Sequence, residues 1–143
     1  MPITQGFELV TDIQNPRIRA WGRSINELFS NCLRALAALI QPTVLTVSKK
    51  AKKIKKTLRV EAVDTSTLLV EFLSEVVRLS DAHNILFTDI TLRNIGDDFL
   101  EGELSGVPVE DMEREIKAIS YDEIEIRRNP VSGLYETTLV FDV

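Results

Sequence analysis

The stretch Ser24-Ile25-Asn26-Glu27-Leu28-Phe29-Ser30-Asn31-Cys32-Leu33-Arg34-Ala35-Leu36-Ala37-Ala38-Leu39-Ile40 decides the fold class. Its first four residues have the form S-x-x-E, a capping box that satisfies free helix N–H groups from both sides. Apolar residues then recur at helical spacing: Leu28, Phe29, Cys32, Leu33, Leu36, Ala37, Leu39 and Ile40. The segment reads as an amphipathic helix, and Pro42 ends it. Downstream, Asp64 is an N-cap for a second helix over Thr65–Ala82, with Leu68, Leu69, Phe72, Leu73, Val76, Val77 and Leu79 on its buried side. His83-Asn84 follows as a turn.

Strand patterns surround the two helices. Phe7–Val10 and Arg17–Trp21 flank the polar turn Asp12-Ile13-Gln14-Asn15-Pro16, and Gly22 closes the second strand. Val44–Val47 and Thr57–Ala62 flank a lysine run. Leu58, Val60 and Ala62 alternate with polar neighbours, as a half-buried strand does. Ile85–Leu92 and Phe99–Leu104 flank Gly96-Asp97-Asp98, a hairpin turn. After a loop with Pro108, Glu115–Arg127 and Leu134–Val143 flank the turn Asn129-Pro130-Val131-Ser132-Gly133. The order β-β-α-β-β-α-β-β-β-β predicts an α+β class: one domain over residues 1–143, its two helices packed on one side of a largely antiparallel sheet.

Length and composition agree. A chain of 143 residues with 44% hydrophobic and 27% charged residues is ordinary for a globular protein. No apolar run approaches the ~18 residues of a membrane span. Met1–Leu9 has no basic start and no apolar core, so no signal peptide is read there. The single cysteine, Cys32, cannot form an internal disulfide, and the expected location is the reducing cytoplasm. The net charge of -5 hides an asymmetry, because Lys49, Lys50, Lys52, Lys53, Lys55 and Lys56 crowd together while Asp89–Glu125 is acidic. A general nucleic-acid binder is usually basic overall.

Chemistry-bearing motifs are scarce. There is no Walker loop, no G-x-G-x-x-G, no C-x-x-C and no H-E-x-x-H. One Cys and one His exclude thiolate and multi-histidine zinc sites. His83 reads as a surface residue at a helix end and Cys32 as an inert core thiol. Trp21, Phe72, Phe87, Phe99 and Phe141 read as core. Glu113, Glu115, Asp122, Glu123 and Glu125 read as a solvated strand face. The lysine run reads first as an exposed connection whose charges deter edge pairing, with a mobile tip. Its functional reading is a patch for RNA phosphates or an acidic surface.

Several short stretches, in order, resemble the archease family. Phe7-Glu8-Leu9 leads through a turn into Ile18-Arg19-Ala20-Trp21-Gly22 and a capped helix. Asp64–Val77 resembles the family's D-L-L-x-x-W-L-x-E-L helix. Ile116-Lys117-Ala118-Ile119-Ser120-Tyr121 is similar to [IV]-K-A-[VI]-T-Y-H, and Leu139-Val140-Phe141-Asp142-Val143 to the family's terminus. The resemblance implies a small cytoplasmic, chaperone-like accessory protein that assists the tRNA-splicing RNA ligase, promoting its guanylylation and turnover without catalysis of its own. It further implies a divalent cation, calcium first, at a site to which Asp142 and Val143 match the C-terminal ligands. Aligned without gaps from Phe7 to Gly22, the family His falls on Asp12, the ligand Asp on Asn15 and a flexible Gly on Arg17; a later His falls on Asp122. Asn15 still offers a carbonyl oxygen to a hard cation, and Asp12 brings a carboxylate to the same loop. The implied metal set is therefore Asp12, Asn15, Asp142 and Val143, with reduced charge. Lys117 matches the family lysine and is the implied partner-binding residue.

Two other readings compete. One is an RNA- or phosphate-binding module working through Lys49–Lys56, without ligase activation. The other, ranked last, is a metal-dependent hydrolase using Asp12, Asp122 and Asp142. The leading reading requires the Asp12–Asn15 turn and Asp142-Val143 to lie together, through pairing of the first and last strands.

Overall fold

The computed structural model describes residues 6–10, 15–44, 53–110, 115–120 and 124–143. Its elements are β1 (Phe7–Val10), β2 (Arg17–Gly22), α1 (Ile25–Ile40), β3 (Ile54–Glu61), α2 (Thr65–His83), β4 (Ile85–Ile95), β5 (Phe99–Pro108), β6 (Ala118–Ile119), β7 (Arg127–Arg128) and β8 (Tyr135–Asp142). All strand pairings are antiparallel, in two sheets. One has the order β1-β2-β8-β6, with β7 also on β8; the other has the order β3-β5-β4.

Local chemistry starts both helices where the sequence reading has them. The Ser24 hydroxyl accepts from the Glu27 N–H at 3.1 Å. The Glu27 carboxylate reaches back one residue further than a standard capping box, to the Arg23 N–H at 3.2 Å. Asp64 accepts from the Thr67 N–H at 2.8 Å, and this bond holds its carboxyl below the usual carboxylate range. Asn84 closes α2 in the left-handed conformation with φ 54°, so His83 is the last helical residue, exposed as expected.

The core explains the layering. Leu28, Phe29, Cys32, Leu33, Leu36 and Leu39 of α1 are buried, and so are Ala35, Ala37 and Ala38 on its other sides. A helix apolar nearly all round is a buried helix. Accordingly α1 touches β1, β2 and β8 of one sheet and β4 of the other. Helix α2 packs on β3, β4, β5 and β6, and stacks Phe72 on Phe29 of α1 with ring centroids 5.8 Å apart. The single expected sheet is thus two sheets, and α1 bridges them. Cys32 lies fully in this core, where burial pushes its thiol far above the ordinary range. Phe72, Phe87 and Phe141 are core; Phe99 is half-buried beneath the Arg59 guanidinium, 5.6 Å from its ring centroid. Trp21 is half-buried rather than core. It alternates with buried Ile18, Ala20 and Gly22 and so falls on the outer face of β2.

Other expectations shift at the boundaries. Val44 does not begin a strand: its N–H folds back onto the Gln41 carbonyl at 3.0 Å, in a helical turn. Residues 45–47 lie outside the described residues. Strand β3 starts at Ile54, three residues before the expected Thr57. Lys55 and Lys56 therefore sit within the strand, and Lys53 stands beside it. Lys53 pairs with Asp89 at 3.2 Å and Lys55 with Glu103 at 3.8 Å, so these two side chains are anchored to the acidic segment. Lys49, Lys50 and Lys52 lie outside the described residues, as does the expected mobile tip. The long expected strand Glu115–Arg127 is represented among the described residues by β6 and β7, of two residues each. The hairpin turn at Gly96-Asp97-Asp98 is present, with the Gly96 N–H on the Phe99 carbonyl at 2.8 Å. So is the turn at Asn129–Gly133, where Gly133 has φ +74°.

Candidate functional site

Main-chain pairing brings three distant segments to one end of the larger sheet. Strand β2 runs antiparallel to β8, with Arg17 opposite Val140. One step further, the Phe141 N–H donates to the Pro16 carbonyl at 3.0 Å. Continuing that register sets Asn15 beside Asp142. On the other flank of β8, Ala118 stands opposite Asp142, and the Lys117 N–H donates to the Asp142 carbonyl at 2.8 Å. The same register sets Lys117 beside Val143.

The outcome differs from the expected strand pairing in one respect. It is β2, not β1, that neighbours the last strand, and β1 lies beyond it at the sheet edge. Asn15-Pro16, the described end of that turn, still meets the C-terminal segment, because it leads directly into β2.

Pro16 and Phe141 are buried, whereas Asn15, Lys117 and Asp142 are exposed and Val143 is half-buried. Apolar anchors fix the main chain here and polar side chains project from it. Among the described residues, Arg17, Lys117 and Asp142 make no ion pair. Asp12 and Asp122 lie outside the described residues, and with them goes the test of the hydrolase set. No group of three or more His, Cys, Asp or Glu residues gathers among the described residues. What the described segments offer a cation is the Asp142 carboxylate, the Asn15 amide oxygen and a main-chain oxygen of Val143. These are hard oxygen donors, which fit calcium or magnesium and not a soft transition metal.

Two features escaped sequence reasoning. An open groove of about 660 Å³ on the larger sheet is lined by Arg19, Arg127, Glu125, Glu136, Thr137 and Thr138 among others. Its arginines are already matched, Arg19 with Glu8 at 3.4 Å and Arg127 with Glu125 at 3.0 Å, which makes it a poor anion site. The second feature is Asn31, buried on α1, whose side-chain N–H donates to the Trp21 carbonyl at 2.7 Å. It ties α1 to the end of β2. A lone amide among apolar residues on the buried side of α1 was the available signal.

The fold defines the class first: two antiparallel sheets bridged by a buried helix, with the start of β2 and the end of β8 side by side. A solved structure of the same architecture is Protein 1598 of Methanobacterium thermoautotrophicum, with a TM-score of 0.71 at 21% identity over 98% of this chain and 100% of that one. Another is an archease, described as a possible chaperone, from Thermotoga maritima, with a TM-score of 0.63 at 16% identity over 95% and 98% of the two chains. Both likenesses speak for the fold alone. The sequence goes further. Residues 7–143 match the model of the Archease protein family (MTH1598/TM1083). The chain is 29% identical to Protein archease of Pyrococcus furiosus over 88% of this chain and 90% of that protein. It is 27% identical to Protein archease of Sulfurisphaera tokodaii over 97% and 99%. The chain belongs to the Archease family.

Among the described residues no helix is long and apolar enough to cross a membrane.

Proposed function

We propose that this protein is a non-catalytic accessory factor of a tRNA-splicing RNA ligase in the cytoplasm, promoting guanylylation and turnover of that ligase. The observation that carries this reading is the convergence of Asn15-Pro16, Asp142-Val143 and Lys117 through the Phe141–Pro16 and Lys117–Asp142 main-chain bonds. Asp142, Asn15 and a main-chain oxygen of Val143, joined by Asp12 from the same loop, would hold a divalent cation, calcium first. A bound ion supplies a fixed positive charge that phosphate oxygens in the ligase cleft recognise. The chain's own contribution is positioning. Buried Pro16 and Phe141 hold the two segments in register, and exposed Lys117 adds a second cation beside them.

The Asn at position 15 makes this a low-charge site. Each carboxylate added to such a ligand set raises its affinity for a hard cation. An ion bound by the folded protein alone raises its melting temperature by mass action. Millimolar calcium is expected to give a small rise, and Asn15→Asp a larger one. Asp142→Asn is expected to remove the rise. In a reconstituted assay of ligase, nicked tRNA and GTP, the protein is expected to increase multiple-turnover ligation, and Lys117→Glu to abolish the increase. No stimulation of the ligase would overturn the reading. Stimulation that survives loss of Asp142 would remove only the cation from it.

Against the RNA- or phosphate-binding alternative stands the pairing of Lys53 and Lys55 with Asp89 and Glu103, which takes two charges from the proposed patch.

A further inference from the structure

Arg17, the first residue of β2, is exposed and has no ion partner among the described residues. Its neighbours directly across the ladders are Val10 of β1 and Val140 of β8. Neither side chain can accept a hydrogen bond from a guanidinium. Residues directly opposite one another share a face of the sheet, and so do residues two positions apart on one strand. Ile18, Ala20 and Gly22 are buried on β2, and Thr137, Leu139 and Phe141 on β8. Arg17, Arg19, Thr138, Val140 and Asp142 therefore stand together on the outer face.

Two described carboxylates are diagonal to Arg17 on that face. Glu8, opposite Arg19, is taken up by that arginine at 3.4 Å. Asp142, two positions beyond Val140, is exposed and makes no ion pair among the described residues. Diagonal neighbours lie roughly 7–8 Å apart, within reach of a long side chain. Asn15 stands two residues before Arg17 on its own chain. Arg17 thus adjoins both oxygen donors, Asp142 and Asn15. Lys117 stands across β8, its N–H on the Asp142 carbonyl. The described charged groups around these oxygens are therefore one negative and two positive, and Arg17 is the positive one that shares the face of Asp142.

A unit charge repels a doubly charged ion twice as strongly as a singly charged one, and a triply charged ion three times as strongly. The diagonal spacing is shorter than the ~10 Å Debye length at 0.1 M salt, so screening is only partial. We propose that Arg17 acts as a tethered positive charge that holds down the affinity of the Asp142 and Asn15 oxygens for a divalent cation. The inference rests on the cation reading of the site and adds to it the residue that limits the affinity.

The probes are calcium, followed by calorimetry, and terbium, followed by its luminescence. Arg17→Gln removes the charge and keeps a polar side chain. It is expected to raise calcium affinity about fivefold and terbium affinity about tenfold at low salt, with both gains narrowing as salt is added. A purely structural effect of the substitution would not grow with the charge of the ion. Should Arg17→Gln not fold, Arg17→Thr makes the same test with a strand-favouring residue. Arg17→Lys keeps the charge and is expected to bind both ions as the unaltered protein does. Arg23→Gln takes one positive charge from an exposed position beyond the far end of β2, and is expected to leave both affinities unchanged. Equal or weaker ion binding by Arg17→Gln overturns the inference and leaves the cation reading standing. So does a gain that is the same for both ions, or one that Arg23→Gln reproduces. Failure of both ions to bind any variant, Asn15→Asp included, overturns the cation reading and this inference with it.

Discussion

The two sheets carry their surface charge differently. On β3-β5-β4 the charges answer one another. Arg59 bonds Glu61 at 3.0 Å and Glu101 at 3.2 Å, Lys53 pairs with Asp89, and Glu103 lies near both Lys55 and Arg93. At one end of β2-β8-β6, by contrast, Arg17, Lys117 and Asp142 have no ion partner among the described residues. A face whose charges cancel internally gains little by meeting another molecule. Charges held on a fixed main chain without internal partners are available to a ligand. The comparison separates a surface whose charges are spent on one another from one whose charges, among the described residues, are not.

The largest effect that could break this comparison lies between the sheets. If α1 joins both, Phe29→Ala is expected to cost about 3–5 kcal/mol and Leu36→Ala about 2–5 kcal/mol in denaturant unfolding. Exchange protection should then fall in both sheets together; loss confined to one sheet would show that the two fold independently. Next in size, Ser24→Ala removes the α1 cap and is expected to cost about 1 kcal/mol. On the self-matched sheet, Lys53→Gln is expected to cost about 0.2–1 kcal/mol at low salt, and less in high salt as the pair with Asp89 is screened. A larger, salt-independent loss would mean that the Lys53 stem matters more than its charge. Asp142→Asn should leave ion-free stability almost unchanged, because its carboxylate has no described internal partner to lose.

The smallest expected effect is a pH dependence at Asp81. Burial, and then the charge of Glu115, raise its carboxyl above the ordinary value. A raised acid holds its proton more tightly folded than unfolded, so it costs stability above its folded pKa. That cost fades as pH falls below the ordinary carboxylate range. Asp81→Asn is therefore expected to raise the melting temperature at neutral pH and to change nothing in acid. The opposite trend would show that Asp81 has a stabilising partner.

Legibility followed the range of the interactions. Both helices were legible to within a residue or two, because caps at Ser24 and Asp64 and apolar spacing act over a few residues. The turns at Gly96–Asp98 and Asn129–Gly133 were legible for the same reason. The start of β3 was not. Lysines favour solvent, and only main-chain pairing with Leu104–Gly106 of β5, far along the chain, takes Ile54, Lys55 and Lys56 into a strand. Nor was the exposure of Trp21 legible, since a large aromatic in a strand suits either face until the side of the sheet that meets α1 is known.

The same division runs through the candidate site. Sequence by itself determined which residue types are available: Asn15, Asp142, Val143 and Lys117, the one lysine outside the lysine run. It also determined that Asn15-Pro16 ends a turn, because proline restricts the residue before it. Only the tertiary structure decided that β2 rather than β1 lies against β8, that α1 joins two sheets, and that β1 is the outermost of the described strands in its sheet. Strand order and edges depend on which strands win each other's main-chain hydrogen bonds, and those bonds carry no side-chain signature in the sequence.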